Sequence, residues 1–275
     1  MESLLFTRTQ NLLDSYNEEL IQKQNNIRFF KKIKAKAIIN ILILSKRGAA
    51  AMKFIIDESI AALGIKSIVI GIAKNIDPQV PLSDAFLKKQ KEMEEWALKC
   101  DVDEVFNHPV IQGYTDMLQN VGRSVKKYMP TVPALIRNIQ HRGSIPHINS
   151  VIDIYNVESL RSLLAIGGHD LAKVDGQIEF TVNKEEGVFL PILSTEKHVA
   201  KTDYVYRDSK GIMAWLDVRD GEHYKFDEGT KNAIFIIQGN VNTSVEMRVE
   251  ALKRIQNDLA ECMPQLEFEI QVING

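Results

Sequence analysis

Ser150-Val-Ile-Asp-Ile-Tyr-Asn-Val-Glu-Ser-Leu160 and the run that follows it, Arg161-Ser-Leu-Leu-Ala-Ile-Gly-Gly-His-Asp170, mark where this chain changes character. Residues 150–164 read as a helix, and Gly167-Gly168 is a stop signal because glycine tolerates the left-handed conformation that ends helices. Beyond it the apolar period becomes two. Residues 177–182, 188–192, 204–207, 211–218 and 232–237 read as strands separated by turn residues.

Upstream, 52–56 and 65–72 read as short strands, and 84–98 as a charged helix. His108-Pro109 opens a further helix over 110–118, and Pro130 and Pro133 bracket a turn into one over 134–140. Downstream, Thr243 and Glu246 fit a capping box for a helix with Val245, Val249, Leu252, Ile255 and Leu259 on one face. Leu266, Phe268, Ile270 and Val272 then alternate with polar residues as a closing strand. Helices gather before the strand-rich stretch instead of alternating with it, so the expected class is α+β.

Composition narrows the function classes. Of 275 residues, 45% are hydrophobic and 25% charged, as in soluble globular proteins. Two cysteines, Cys100 and Cys262, are too few for a disulfide framework, which makes a cytoplasmic location the expectation. No apolar run approaches the roughly 18 residues of a membrane helix. Residues 1–51 hold nine Lys or Arg and four acids, leaving 25 basic and 32 acidic residues for the rest. An acidic body argues against tight non-specific nucleic-acid binding, which rests on phosphate neutralisation. The change at Met52 predicts two parts: a non-domain extension over 1–51, with an amphipathic helix at 3–24, and one domain over 52–275. A purine-rich back-translation of 45–51 makes Met52 the expected natural start; a real helical extension and a basic targeting segment are the rival readings.

Glycine-rich phosphate loops, Gly-x-Ser-x-Gly and His-Glu-x-x-His are absent, and the six histidines lack metal-ligand spacing. The expectation is metal-free, cofactor-free chemistry or pure binding. Four features remain. Residues 117–152 contain no Asp or Glu but carry Arg123, Lys126, Lys127, Arg137 and Arg142. They form either a phosphate-docking field or a solvated face. Asn149, Asp153 and Asn156 share one helix face, as a loop-holding hydrogen-bond network or as a site. Gly167-Gly-His-Asp170 reads as a tight turn presenting His169 and Asp170, although such pairs also merely cap turns. Alternation puts Trp215, Asp217 and Arg219 on one face of a strand, where Asp217 and Arg219 could simply pair with each other.

Taken in order, Pro133-Ala-Leu-Ile-Arg137, Ile145-Pro-His-Ile-Asn149, Val151-Ile-Asp-Ile-Tyr-Asn156, Gly167-Gly-His-Asp-Leu171, Tyr204-Val-Tyr-Arg-Asp208, Trp215 to Arg219 and Thr230-Lys-Asn232 resemble a family. It comprises stand-alone proteins related to the editing domain of the phenylalanyl-tRNA synthetase beta subunit. The resemblance covers about residues 52–275, with Val218 where relatives usually carry a second Trp. It implies an α+β domain with a β-sandwich-like core flanked by helices. It also implies metal-independent hydrolysis, in trans, of tyrosine wrongly esterified to phenylalanine tRNA. A non-catalytic amino-acid or RNA binding module that kept the pocket is the alternative.

The resemblance further implies roles. His169, Asp170 and Asn156 would be catalytic, with His169 orienting water or the terminal ribose. Glu222 would accept a hydrogen bond from the tyrosine hydroxyl. Asn149, Asp153, Trp215 and Arg219 would contact the substrate. Arg123, Lys126, Lys127, Arg137 and Arg142 would meet the tRNA. The chain is too short for a complete ligase.

Overall fold

The computed structural model describes residues 52–275, which form one compact unit, Met52–Gly275. The helix expected at 3–24 and the expected extension lie outside the described residues.

Two sheets organise this unit. One is four-stranded, in the order β11 (Glu267–Asn274), β2 (Ser67–Lys74), β10 (Asn232–Ile237), β3 (Gly167–Asp170), and all its pairings are antiparallel. Its two inner strands, β2 and β10, are nearly continuous apolar runs, as strands covered on both faces must be. Gly71 sits at the centre of β2 because nothing larger fits. A Cβ there would stand 2.8 Å from Phe268 Cζ on β11 and 3.3 Å from Leu252 Cδ2 on the helix above.

The other sheet is five-stranded. Its order is β1 (Phe54–Ile56), β4 (Ile178–Val182), β7 (Tyr204–Arg207), β8 (Ile212–Trp215), β9 (Arg219–Asp220), with β1 and β4 parallel. A small hairpin, β5 (Gly187–Phe189) with β6 (Lys197–Val199), stands beside it. Neither sheet closes into a barrel.

Seven helices of the described residues fill the layers around the sheets. After α1 (Glu58–Ala61) come α2 (Asp84–Lys99), α3 (Val102–Phe106), α4 (Pro109–Asn120), α5 (Thr131–Arg142), α6 (Ser150–Ser162) and α7 (Val245–Cys262). Helix α6 is buried on most of its circumference and packs against α2, α5 and α7. Burial forces its polar residues into partnerships: Glu158, almost sealed from solvent, takes a fork of hydrogen bonds from Arg254 on α7, the shortest 2.7 Å. The α+β class therefore stands, with mixed helices and sheets.

Three local expectations are corrected. Gly167–Asp170 is not a presenting turn but strand β3, paired to β10. The two glycines are there for close packing. A Cβ at Gly167 would come within 2.2 Å of the Tyr206 hydroxyl, and one at Gly168 within 2.9 Å of Tyr155. The expected strand 211–218 is broken. Leu216 and Asp217 both adopt left-handed backbone (φ 58° and 51°), and Val218 N–H returns to the Trp215 carbonyl at 3.2 Å. That is a type I′ turn, which folds β9 back on β8. Finally, Ser244 and not Thr243 caps α7, accepting from Met247 N–H, while Thr243 ties the preceding turn to Asn240. No helix among the described residues is long and apolar enough to cross a membrane.

Candidate functional site

The Leu216-Asp217 turn brings two carboxylates to one place. Asp217 and Asp220 line a cavity of about 110 Å³ with Arg219, Asn156, Tyr155, Tyr206, Thr131 and the backbone around Gly167. Helix α6 supplies Tyr155 and Asn156, β7 supplies Tyr206, and the β8–β9 hairpin supplies the charges. The Thr131 hydroxyl, at the start of α5, donates to the Asp217 carbonyl and so fastens the turn.

Asp217 as a residue is half-buried, yet its Oδ2 is sealed and has no hydrogen-bond partner among the described residues. Its Oδ1 accepts from Gln238 Nε2 at 2.7 Å. Burial pushes the Asp217 carboxyl up to about 7, opposed by the hydrogen bond from Gln238 and by the nearby Tyr204 hydroxyl. The Tyr204 hydroxyl does this only by proximity, since its own proton goes to the Leu216 carbonyl at 2.8 Å. Asp220 is also pushed up to about 7, first by burial and then by the charge of Asp217, with the Gly168 backbone N–H opposing. A carboxyl that titrates near neutrality beside a cavity is suited to activating a water.

His169 supports this site from behind. It is fully buried on β3, and its Nε2 lies 2.6 Å from the Tyr206 hydroxyl. Burial pulls it down to about 3, so it is a neutral imidazole at physiological pH. Its Nδ1 has no partner among the described residues. It therefore positions Tyr206 and does not face the cavity, contrary to the expectation of an exposed histidine. Asp170 is likewise internal: it accepts from Thr230 Oγ1 at 2.8 Å and from Ala172 N–H at 2.9 Å.

The remaining expected residues divide. Asn156 and Arg219 reach the cavity. Asn149 and Asp153 do not. Asn149 caps α6 through Ile152 N–H, and Asp153 pins the preceding loop through His147 Nδ1 at 2.5 Å and Ile148 N–H at 3.0 Å. Trp215 is core, its Nε1 donating to Asp203 at 2.8 Å. Glu222 is not among the cavity-lining residues; it pairs with Lys225, which holds its carboxyl below the usual range. Arg123 is spent inside, forked onto buried Asp203 at 2.5 Å and stacked near Tyr128 and Trp215. Lys126, Lys127, Arg137 and Arg142 are exposed.

The groove of about 610 Å³ between α2 and the loops 78–82 and 145–150 is larger, but apart from Asn149 it holds none of these residues. Volume alone does not make a site; convergence of polar groups does. Sequence reading missed Asp220, Tyr155 and Tyr206, and put Asp217 on a strand. The Leu-Asp pair carries none of the Asn-Gly or Asp-Gly chemistry that announces a type I′ turn.

The comparisons with known proteins bear on the same stretch. The model of the B3/4 domain family matches residues 113–263, which include every residue lining the cavity. The phenylalanine–tRNA ligase beta subunit of Photorhabdus laumondii is 24% identical over 171 residues, covering 60% of this chain and 20% of that subunit. The chain thus spans about a fifth of the length of the curated relative it matches. Among solved structures, an N-terminal fragment of the phenylalanyl-tRNA synthetase beta subunit from Pyrococcus horikoshii is 13% identical, with a TM-score of 0.43. That likeness covers 80% of this chain and 50% of the fragment. With more than half of its length matched by the family model, the chain belongs to the B3/4 domain family and is a relative of the phenylalanyl-tRNA synthetase beta subunit.

Proposed function

We propose that this domain binds the aminoacyl end of a mischarged tRNA, tyrosine on phenylalanine tRNA in particular, and hydrolyses the ester in trans. The observation that carries this reading is the convergence of Asp217, Asp220, Arg219 and Asn156 on one cavity within the family-matched region. An aminoacyl ester is labile, so positioning a water and stabilising the developing oxyanion suffices for useful rates. Asp220 is suited to take a proton from water at neutral pH, and Arg219 at the rim to stabilise the oxyanion. The cavity is of the order of the roughly 150 Å³ that holds one benzene ring in an engineered protein, so only part of an aminoacyl group fits inside. The tRNA would lie along exposed Lys126, Lys127, Arg137 and Arg142, in a stretch without acids.

A second reading, a binding module without catalysis, is favoured by the inward burial of His169, which leaves the cavity lining without a histidine. Deacylation assays over tRNAs mischarged with different amino acids separate the two. Release of tyrosine that is lost in Asp220→Asn supports the hydrolase. Saturable binding with no release over several hours supports the module.

A further inference from the structure

A further cavity, of about 380 Å³, lies where the residues before β2, the stretch after β10 and the start of α7 meet. None of its lining residues is acidic, and two, Lys66 and Arg248, are basic. It is an acid-free hollow in a body, residues 52–275, that holds 25 basic and 32 acidic residues. Its volume is within the range of small-ligand sites, roughly 300–1,000 Å³.

Arg248 is only 4% exposed, and no carboxylate pairs with it among the described residues. Five acids are buried too, and each has a basic partner no farther than 3.8 Å, as Asp203 has Arg123 and Glu158 has Arg254. Glu246 acts on Arg248 through its field alone, and its exposed carboxylate bonds to Ser244 and its own backbone. The guanidinium is held by neutral groups. Its Nη1 donates to the carbonyls of Ser67 at 2.6 Å and Gln238 at 2.8 Å, its Nη2 to Ser67 Oγ at 2.9 Å, and its Nε to the Ser244 carbonyl at 3.2 Å. All three partner residues line the cavity, so the guanidinium stands in its wall. These bonds fix the group's geometry without neutralising it, and they leave one of its five N–H donors unspent. Buried charges are ordinarily paired, so what is missing here is an anion.

The surroundings narrow the anion. Helix α7, 18 residues long, starts at the cavity and turns the positive end of its dipole toward it. The Ser67 hydroxyl accepts from Arg248 and keeps its own proton to donate. A monocarboxylate would leave one of the two cationic charges over. A phosphate monoester carries nearly two negative charges and three strong acceptor oxygens.

We propose that this cavity binds a phosphoryl group, as inorganic phosphate or a phosphate monoester, with Arg248 and Lys66 as its counter-charges. The site shares no lining residue with the Asp217 cavity and does not depend on the aminoacyl reading.

Calorimetric titration of the full chain with sodium phosphate, against sodium chloride at equal ionic strength, tests the proposal. The expected result is saturable binding of one phosphate per chain, with a melting temperature that rises in phosphate and not in chloride. Lys66→Glu reverses an exposed charge at the site and should weaken binding by about tenfold or more. Lys74→Glu makes the same change at the far end of β2 and should leave binding as it was. Arg248→Met should abolish binding; where that variant fails to fold, the two lysine variants decide. A short RNA with and without a 5′-phosphate identifies the carrier. Tighter binding of the phosphorylated RNA than of inorganic phosphate, lost in Lys66→Glu, assigns the group to an RNA end. Equal or weaker binding of that RNA assigns it to free phosphate or a small ester. No binding of phosphate beyond that of chloride, or equal weakening by Lys66→Glu and Lys74→Glu, overturns the proposal.

Discussion

His169 Nε2 and the Tyr206 hydroxyl, 2.6 Å apart, join β3 of one sheet to β7 of the other. Their rings also meet edge to face, with centroids 5.4 Å apart. Tyr206→Phe removes the hydroxyl and leaves a wholly buried imidazole with neither nitrogen paired. The expected loss is about 1–3 kcal/mol of unfolding free energy, read from urea denaturation at pH 7. An unchanged midpoint would mean the bond contributes nothing.

The pH dependence of stability should contain two opposed parts. His169 is pulled down to about 3, so between about pH 3 and 6.5 the unfolded chain binds a proton that the folded one does not. Its contribution to stability is therefore fully present above pH 6.5 and lost on acidification. Asp217 and Asp220 are raised to about 7, so between about pH 4 and 7 the folded chain holds the extra protons, and their contribution falls as pH rises. Asp220→Asn should raise stability at pH 8 and leave it nearly unchanged at pH 4. Urea midpoints of both proteins at the two pH values decide this, and equal shifts at both would exclude a raised carboxyl.

Arg254 and Glu158 form an ion pair that cannot be halved cheaply. Arg254→Met strands a carboxylate on the buried helix α6, at an expected cost of about 3–5 kcal/mol. Adding Glu158→Gln should recover a good part of it, since no charge is then left in the core. A double-mutant cycle by chemical denaturation measures the recovery. Simple additivity of the two losses would contradict this account.

Two arginines of the acid-free stretch should behave in opposite ways. Arg142 is exposed at the end of α5, so Arg142→Glu should leave stability within about 0.5 kcal/mol and weaken any tRNA binding, more at low salt than at high. Arg123 is the counter-charge of buried Asp203, and Arg123→Glu should prevent folding under the same conditions. Filter binding against salt, with circular dichroism as control, tells them apart. Salt-independent binding would reduce the stretch to a solvated face.

Much of this was readable from residue patterns, and the failures share a cause. Helix α2 announced itself by charge and period, and β2, β10 and β11 by alternation or apolar runs. What was misread depended on contacts remote in sequence. Gly167 and Gly168 look like a helix stop, but Tyr206 and Tyr155 are what exclude side chains there. Leu216 looks like a strand residue, but its side chain is buried while its backbone turns, and burial outweighs the roughly 1–3 kcal/mol of left-handed strain. The same turn decides the site. With 211–218 as one strand, Asp217 and Arg219 lie side by side on one face and Asp220 has no role. With the strand folded at Leu216, Asp217 and Asp220 share a cavity.

Strand β2 finds no lasting partner near it in the chain. Ser67 stands opposite Asn274 on β11, and Lys74 opposite Asn232 on β10, so the core of the four-stranded sheet closes only after β10 and β11 have been made. β1 waits in the same way for β4, with Phe54 opposite Ile178. At ribosomal speeds of 5–20 residues per second, β2 remains an unpaired apolar strand for on the order of ten seconds after it emerges. Such long-range pairings also make the closing step slow, because loop entropy must be overcome before any contact repays it. During translation, then, a nearly continuous apolar strand stays unpaired over most of the synthesis of the domain, and self-association competes with folding until β10 and β11 arrive.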